Sequence, residues 1–263
     1  MIQKRGNKVE SEKILDIINI GMKYHTLKAE TTAISGLNFN VYKEEFITIV
    51  GPSGCGKSTI LSLISGLIKP SEGSVNINIS DSEKYIQKVG YMLQRDYLFE
   101  WRTIEQNVLL GLELKHALTE ESKSYALELT KKYGLGEFLK HYPSQLSGGM
   151  RQKAALIRTL AVKPQILLLD EPFSALDYQT RINISEEILN IIKNEKKTAV
   201  LVSHDISEAV SLSDRVIIFS SRPSKVKKII NIDFGPDKLS LHEKRNHKNF
   251  NNYFDTVWSE LVD

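Results

Sequence analysis

Residues 51–58 read Gly-Pro-Ser-Gly-Cys-Gly-Lys-Ser, a full match to the pattern G-x-x-x-x-G-K-[ST]. Glycine tolerates φ values other residues avoid and brings no side chain into the way, so successive backbone N–H groups can converge on an anion. Gly51, Gly54 and Gly56 take that part here, with Pro52, Ser53 and Cys55 between them. Lys57 suits the β- and γ-phosphates of a nucleotide as a point charge. The Ser58 hydroxyl suits Mg²⁺, with Thr59 as a further nucleotide contact. The context agrees: an apolar run at 46–50 has the pattern of a strand buried on both faces, and from Ser58 the apolar residues turn helical at Ile60, Leu61, Ile64, Leu67 and Ile68. Such a helix presents free N–H groups and a positive dipole end to the phosphates.

Further reactive side chains close other apolar runs. Residues 166–169 are four large aliphatics that deliver Asp170 and Glu171 to a strand end, where doubly wound sheets bind ligands. Asp170 is expected to hold Mg²⁺ through a water, and Glu171 to act as general base on the attacking water. His204 follows the run 198–203, placed to hydrogen-bond the γ-phosphate and keep the water and Glu171 in line. Gln94 ends the strand pattern of 88–93; were that strand beside the loop, its neutral amide would touch both Mg²⁺ and the water. Tyr24, about thirty residues before the loop, is expected to stack on adenine. Ser147, Gly148 and Gly149, followed by Arg151 and Lys153, read as a capped helix start and as a second anion site. Cys55 has no base among its neighbours in sequence and reads as small filler rather than a nucleophile.

The elements needed to position these groups can be read in order. Runs 14–20 and 34–42, punctuated by Gly21 and Gly36, suggest an antiparallel region, joined by 74–79. From about 95 to 160 strand patterns give way to helical spacing, which marks a sub-domain. Strands at 198–203, 215–220 and 226–234 follow. Phe250, Tyr253, Phe254, Val257, Trp258 and Leu261 then define an amphipathic helix, with docking on the chain's own core and a partner interface as its two uses. Tyr97, Leu98, Phe99 and Trp101 crowd the short connection 95–103. They suit either burial under the sub-domain or a groove for a helix of a partner.

With 263 residues, the chain fits one domain with a sub-domain, divided as a polar lead (1–12), a nucleotide-binding unit (13–234) and a tail (235–263). Its 35 basic and 32 acidic residues leave a charge of +3, so no nucleic-acid partner is expected. The first residues lack the apolar stretch of a secretory signal, and no apolar run approaches the ~20 residues of a membrane span. One cysteine allows no internal disulfide and fits a reducing compartment.

The loop, Gln94, the run from Leu146 to Lys153 (LSGGMRQK), residues 166–172 (ILLLDEP), residues 174–177 (SALD) and His204, in this order, resemble the ATP-binding subunit of ABC transporters. The resemblance implies an α/β fold: a phosphate-loop NTPase core with a mostly parallel sheet, an N-terminal antiparallel β region and a helical sub-domain. It also implies ATP and Mg²⁺ as cofactors, and a head-to-tail homodimer. Each ATP lies there between the loop of one copy and Ser147, Gly148 and Gly149 of the other, with Asp177 at the seam. Membrane-spanning permease subunits and, indirectly, an extracytoplasmic solute-binding protein complete the implied assembly, on the cytoplasmic face of the membrane. Residues 100–103 (EWRT) and 221–224 (SRPS) further resemble the importer group for nitrate, sulfonate, taurine and thiamine precursors, which commonly has proline at Glu100 and glycine at Ser224. Two other readings compete. A phosphate-loop kinase would need an acceptor pocket and would leave LSGGM without a purpose. A soluble ABC-type ATPase acting on DNA or the ribosome sits poorly with the near-balanced charge.

Overall fold

The computed structural model describes residues 12–25, 30–78, 88–236 and 239–262. The polar lead up to residue 11 and Ile79 lie outside them. Two sheets share the chain. Strands β1 (Lys13–His25), β2 (Glu30–Tyr42) and β4 (Glu72–Ile77) form an antiparallel sheet in the order β2-β1-β4. The second has the order β5-β6-β7-β3-β8-β9, built from β3 (Phe46–Val50), β5 (Val89–Met92), β6 (Ile166–Asp170), β7 (Thr198–Val202), β8 (Arg215–Phe219) and β9 (Val226–Asn231). All its pairings are parallel except β8 with β9. Gly21 and Gly36 do not end their strands; they lie inside them, and Gly36 sits at φ +65° beside the register shifts between β1 and β2.

Helix α1 (Lys57–Ile64) lies between the two sheets. Ile60, Leu61 and Ile64 are fully buried among Leu15, Ile34 and Leu37 of one sheet and Ile47, Leu168 and Val200 of the other. On the opposite face of the main sheet stand α2 (Ile104–Leu114), α3 (Glu120–Lys132) and α4 (Gly148–Ala161). Helices α2 and α3 start at full capping boxes, Thr103 with Gln106 and Thr119 with Ser122. Gly134, at φ +79°, ends α3 by returning the Leu135 N–H to the Thr130 carbonyl.

Helices α5 (Tyr178–Asn194), α6 (Ile206–Leu212), α7 (Leu241–Arg245) and α8 (Phe250–Val262) complete the chain. Phe250 and Val257 of α8 are buried against Ile206, Ala209 and Val210 of α6, so the tail helix docks on its own core. Glu260 fastens its far end to Lys228, 2.8 Å away. Among the described residues, no helix is long and apolar enough to cross a membrane.

Candidate active site

The C-terminal ends of β6, β7 and β3 lie side by side, because Val202 pairs with both Asp170 and Ile49. This register brings residues 51–58, Asp170 with Glu171, and His204 to one edge of the sheet. Two of the three loop glycines are held in the left-handed region, Gly54 at φ +73° and Gly56 at φ +110°. Gly51 is not, contrary to expectation, and its requirement is space: a Cβ there would stand 2.9 Å from Cys55 Sγ and 3.0 Å from Phe219 Cβ. Cys55 itself is buried, and burial pushes its thiol pKa up, as suits a filler. Lys57 is nearly buried and its Nζ donates to the carbonyls of Gly51 (2.8 Å) and Pro52 (3.0 Å), spanning the loop. Lys57, Ser58, Thr59 and Glu171 share with Ser53, Gly54 and Gly56 a cleft of about 220 Å³.

Ser58 Oγ donates to Asp170 Oδ1 at 3.2 Å, and the Tyr91 hydroxyl donates to Oδ2 at 3.3 Å. Burial pushes the Asp170 carboxyl above its ordinary range, while these two donors, Ser58 foremost, oppose that shift. Tyr91 went unrecognised in the sequence, since a tyrosine in an apolar strand reads as core. Two adjacent hard oxygens fit Mg²⁺, which takes one or two protein ligands and completes its shell with phosphates and water. Among the described residues, no cluster of three His, Cys, Asp or Glu offers a cation an all-protein cage. The donor set therefore suits an ion that arrives with the nucleotide.

Glu171 holds φ +45°, a conformation uncommon for a residue with a Cβ. Its N–H donates to the Val202 carbonyl (3.0 Å), and its own carbonyl accepts from Ser174 N (3.2 Å) and Oγ (2.9 Å), which over-determine the turn. The carboxylate is hydrogen-bonded to His204, Oε2 to Nδ1, at 2.9 Å. Tyr24 lies within β1 rather than after it, and its hydroxyl meets Thr59 Oγ1 at 3.3 Å. Gln94 is placed differently from the condition set for it. Strand β5 is the sheet's edge, separated from β3 by β6 and β7, and the Gln94 amide donates to Ser174 Oγ at 3.3 Å instead of meeting the loop.

Ser147, Gly148 and Gly149 stand elsewhere. Ser147 caps α4 by accepting the Met150 N–H (3.3 Å), and Gly148 lines a cleft of about 350 Å³ with Arg95, Tyr97, Arg151 and Leu176. None of its lining residues belongs to the first cleft. Asp177 caps α5 through Thr180 N–H (3.0 Å) and is fully exposed; hydrogen bonding to Thr180, through its side chain first and its N–H second, holds its pKa below the usual carboxylate range. In the connection 95–103, Leu98 is buried, whereas Tyr97 and Trp101 are exposed at 57% and 73% and Trp101 stacks on Phe99. Three side chains tie this connection to the sub-domain, and sequence reasoning passed over two of them, Asn107 and Arg158. Buried Asn107 accepts the Phe99 N–H at 2.7 Å and donates to the carbonyls of Phe99, Arg102 and Thr103. Arg158 reaches the carbonyls of Asp96 (2.6 Å) and Tyr97 (2.7 Å), and Arg151 the Asp96 carboxylate (3.3 Å).

A phosphate loop, a buried-strand carboxylate pair and a strand-end histidine at one sheet edge, with a helical sub-domain inserted after β5, define an ATP-binding cassette. The chain belongs to the ABC transporter family, whose model matches residues 34–174. It is 47% identical over 247 residues to the uncharacterized ABC transporter ATP-binding protein YtlC of Bacillus subtilis, covering 94% of this chain and 95% of that one. To the aliphatic sulfonates import ATP-binding protein SsuB of Bacillus cereus it is 39% identical over 234 residues, covering 89% and 90%. Among solved structures, a dimeric ATP-binding cassette in a post-hydrolysis state with ADP and Pi superimposes with a TM-score of 0.69 at 33% identity. That match covers 84% of this chain and 99% of the other. The chain is thus an ATPase of this family, with the α/β cassette fold.

Proposed function

We propose that this chain is the ATP-hydrolysing subunit of an importer and drives uptake of a small solute, of the nitrate, sulfonate, taurine or pyrimidine-precursor type, through separate membrane subunits. The observation that carries the reading is the separation of the two clefts. One chain holds a phosphate cradle and a glycine-rich helix start that do not share a lining residue, so a second copy, turned head to tail, is needed to bring them onto one nucleotide. Asp177, exposed beside that helix start, then lies at the seam. The exposed rings of Tyr97 and Trp101 suit a helix of the permease, and the relative named for sulfonate import supports the importer reading. A place on the cytoplasmic face of the membrane, with an extracytoplasmic solute-binding protein beyond it, follows from the same reading.

In this account the loop amides and Lys57 bind the β- and γ-phosphates, and Ser58 and Asp170 would hold Mg²⁺, which would supply positive charge against that developing on the phosphoryl oxygens. Tyr24 packs on adenine. Glu171 accepts the proton of the attacking water as the bond to the leaving ADP oxygen breaks; His204, bonded to Oε2, fixes the carboxylate and leaves its other nitrogen for the γ-phosphate. Gln94 reaches the water and Mg²⁺ on leaving Ser174, when the dimer closes.

Glu171→Gln keeps the shape of the site and removes the base. With Mg-ATP the variant is expected to run as a stable dimer in size-exclusion chromatography and to stall hydrolysis by on the order of a hundredfold or more. A variant that stays monomeric while the wild type hydrolyses ATP refutes the base or the dimer.

A further inference from the structure

The turn between β8 and β9 carries a side chain that none of the roles above uses. Arg222 Nε–H donates a hydrogen bond to the Gly54 carbonyl of the phosphate loop, across 168 residues of chain. Its Nη2 lies 3.5 Å from where a Cβ of Gly54 would be, so the guanidinium covers the loop at this point. The same side chain borders the cleft that contains Lys57, Ser58 and Glu171. The turn that presents it is anchored on two sides. Ser220 N–H donates to the Lys225 carbonyl (3.0 Å), while Ser224, fully buried, donates its N–H to Ala33 O (2.9 Å) and accepts the Ser35 N–H (3.1 Å) on β2.

The loop has a weakness that such a contact corrects. Gly54 lies at φ +73°, where it brings no Cβ to hold the peptide that follows it; within the loop that peptide is tied through the Cys55 N–H to Pro52 O at 3.2 Å. A peptide's C=O and N–H point in opposite directions. Turned over, the unit would reverse its dipole and lose both of its bonds. Arg222 holds the oxygen through a charge-assisted bond, while the Cys55 N–H donates to Pro52 O at 3.2 Å.

We propose that Arg222 is a positioning residue for nucleotide binding: a latch that fixes the orientation of the Gly54–Cys55 peptide in the phosphate loop and ties the loop to both sheets. The latch rests on the reading of residues 51–58 as the ATP cradle. Because it shapes the loop rather than touching the γ-phosphate, it acts equally on ATP and ADP.

The test measures Mg-ATP and Mg-ADP binding by calorimetry, and KM and kcat for hydrolysis, in the wild type, Arg222→Ala, Arg222→Lys and Lys57→Ala. Arg222→Ala is expected to raise Kd for both nucleotides and KM for ATP about tenfold, with kcat within about twofold, the loss of one hydrogen bond to a charged group. Its melting temperature without nucleotide should stay at the wild-type value, since Arg222 is exposed. Arg222→Lys, which keeps the charge and a donor, should recover most of the affinity. Loss of affinity for ATP alone, unchanged Kd values, or a fall in kcat at constant KM each overturn the latch. Lys57→Ala separates the two failures: if it binds ATP like the wild type, the cradle itself is misassigned; if it loses binding while Arg222→Ala does not, only the latch falls.

Discussion

Helices α1 and α4 both begin after glycine and serine, yet their first turns are finished in opposite ways. At α1 the preceding residue is Gly56 in the left-handed region, and no side chain caps the helix. The free N–H groups are left to a ligand, and Lys57, Ser58, Asp170, Glu171 and His204 gather around them. At α4, Ser147 caps the helix by accepting the Met150 N–H, and Arg151 of its first turn is paired with Asp96. One region is thus electrostatically prepared for a triphosphate; the other is a serine-capped helix start beside an open cleft. On the function proposed above, the difference means that a single copy has the means to bind ATP and that the second anion site acts by meeting a nucleotide held elsewhere.

Substitutions can break this contrast. Lys57→Ala has the largest expected effect, with hydrolysis lost and ATP affinity reduced on the order of a hundredfold, because the triphosphate loses its main charged partner among amide dipoles. Near-normal turnover would remove the basis of the contrast. Gly149→Ala should act through packing alone. Helix propensity favours alanine by ~1 kcal/mol, but the new Cβ would stand 2.5 and 2.6 Å from Cδ1 and Cγ1 of Ile184. Cγ1 leaves the stiff, β-branched root of that side chain and cannot swing aside, so a net loss of about 1–3 kcal/mol is expected. A thermal melt that falls while ATP affinity stays constant supports two independent regions; a fall in ATP affinity of the single chain would join them.

How much of this was visible in the sequence follows from how local each feature is. The cradle was legible because eight consecutive residues make it, and Asp170, Glu171 and His204 because each follows an apolar run that had to be a buried strand. The sub-domain helices and the tail helix showed in their spacing, although only packing on α6 chose docking over an interface for α8. Tyr91, Asn107 and Arg158 stayed hidden, since their partners are fixed by the sheet order and by how α2 and α4 pack, not by neighbours in sequence. Gln94 shows the limit most plainly: an expectation that assumed adjacent strands met an order that puts β6 and β7 between β5 and β3.

The central claim is that each ATP is completed by two copies of the chain, and mixing two inactive variants tests it most directly. Lys57→Ala lacks the cradle but keeps Ser147, Gly148 and Gly149; Ser147→Arg blocks that helix start but keeps the cradle. A dimer of one with the other contains a single intact composite site. Phosphate release from ATP should therefore be near zero for each variant alone and rise to a measurable fraction of the wild-type rate when the two are combined. If Ser147→Arg alone hydrolyses ATP at the wild-type rate, or if the mixture stays as inactive as its components, the site is not shared between copies and the account is wrong.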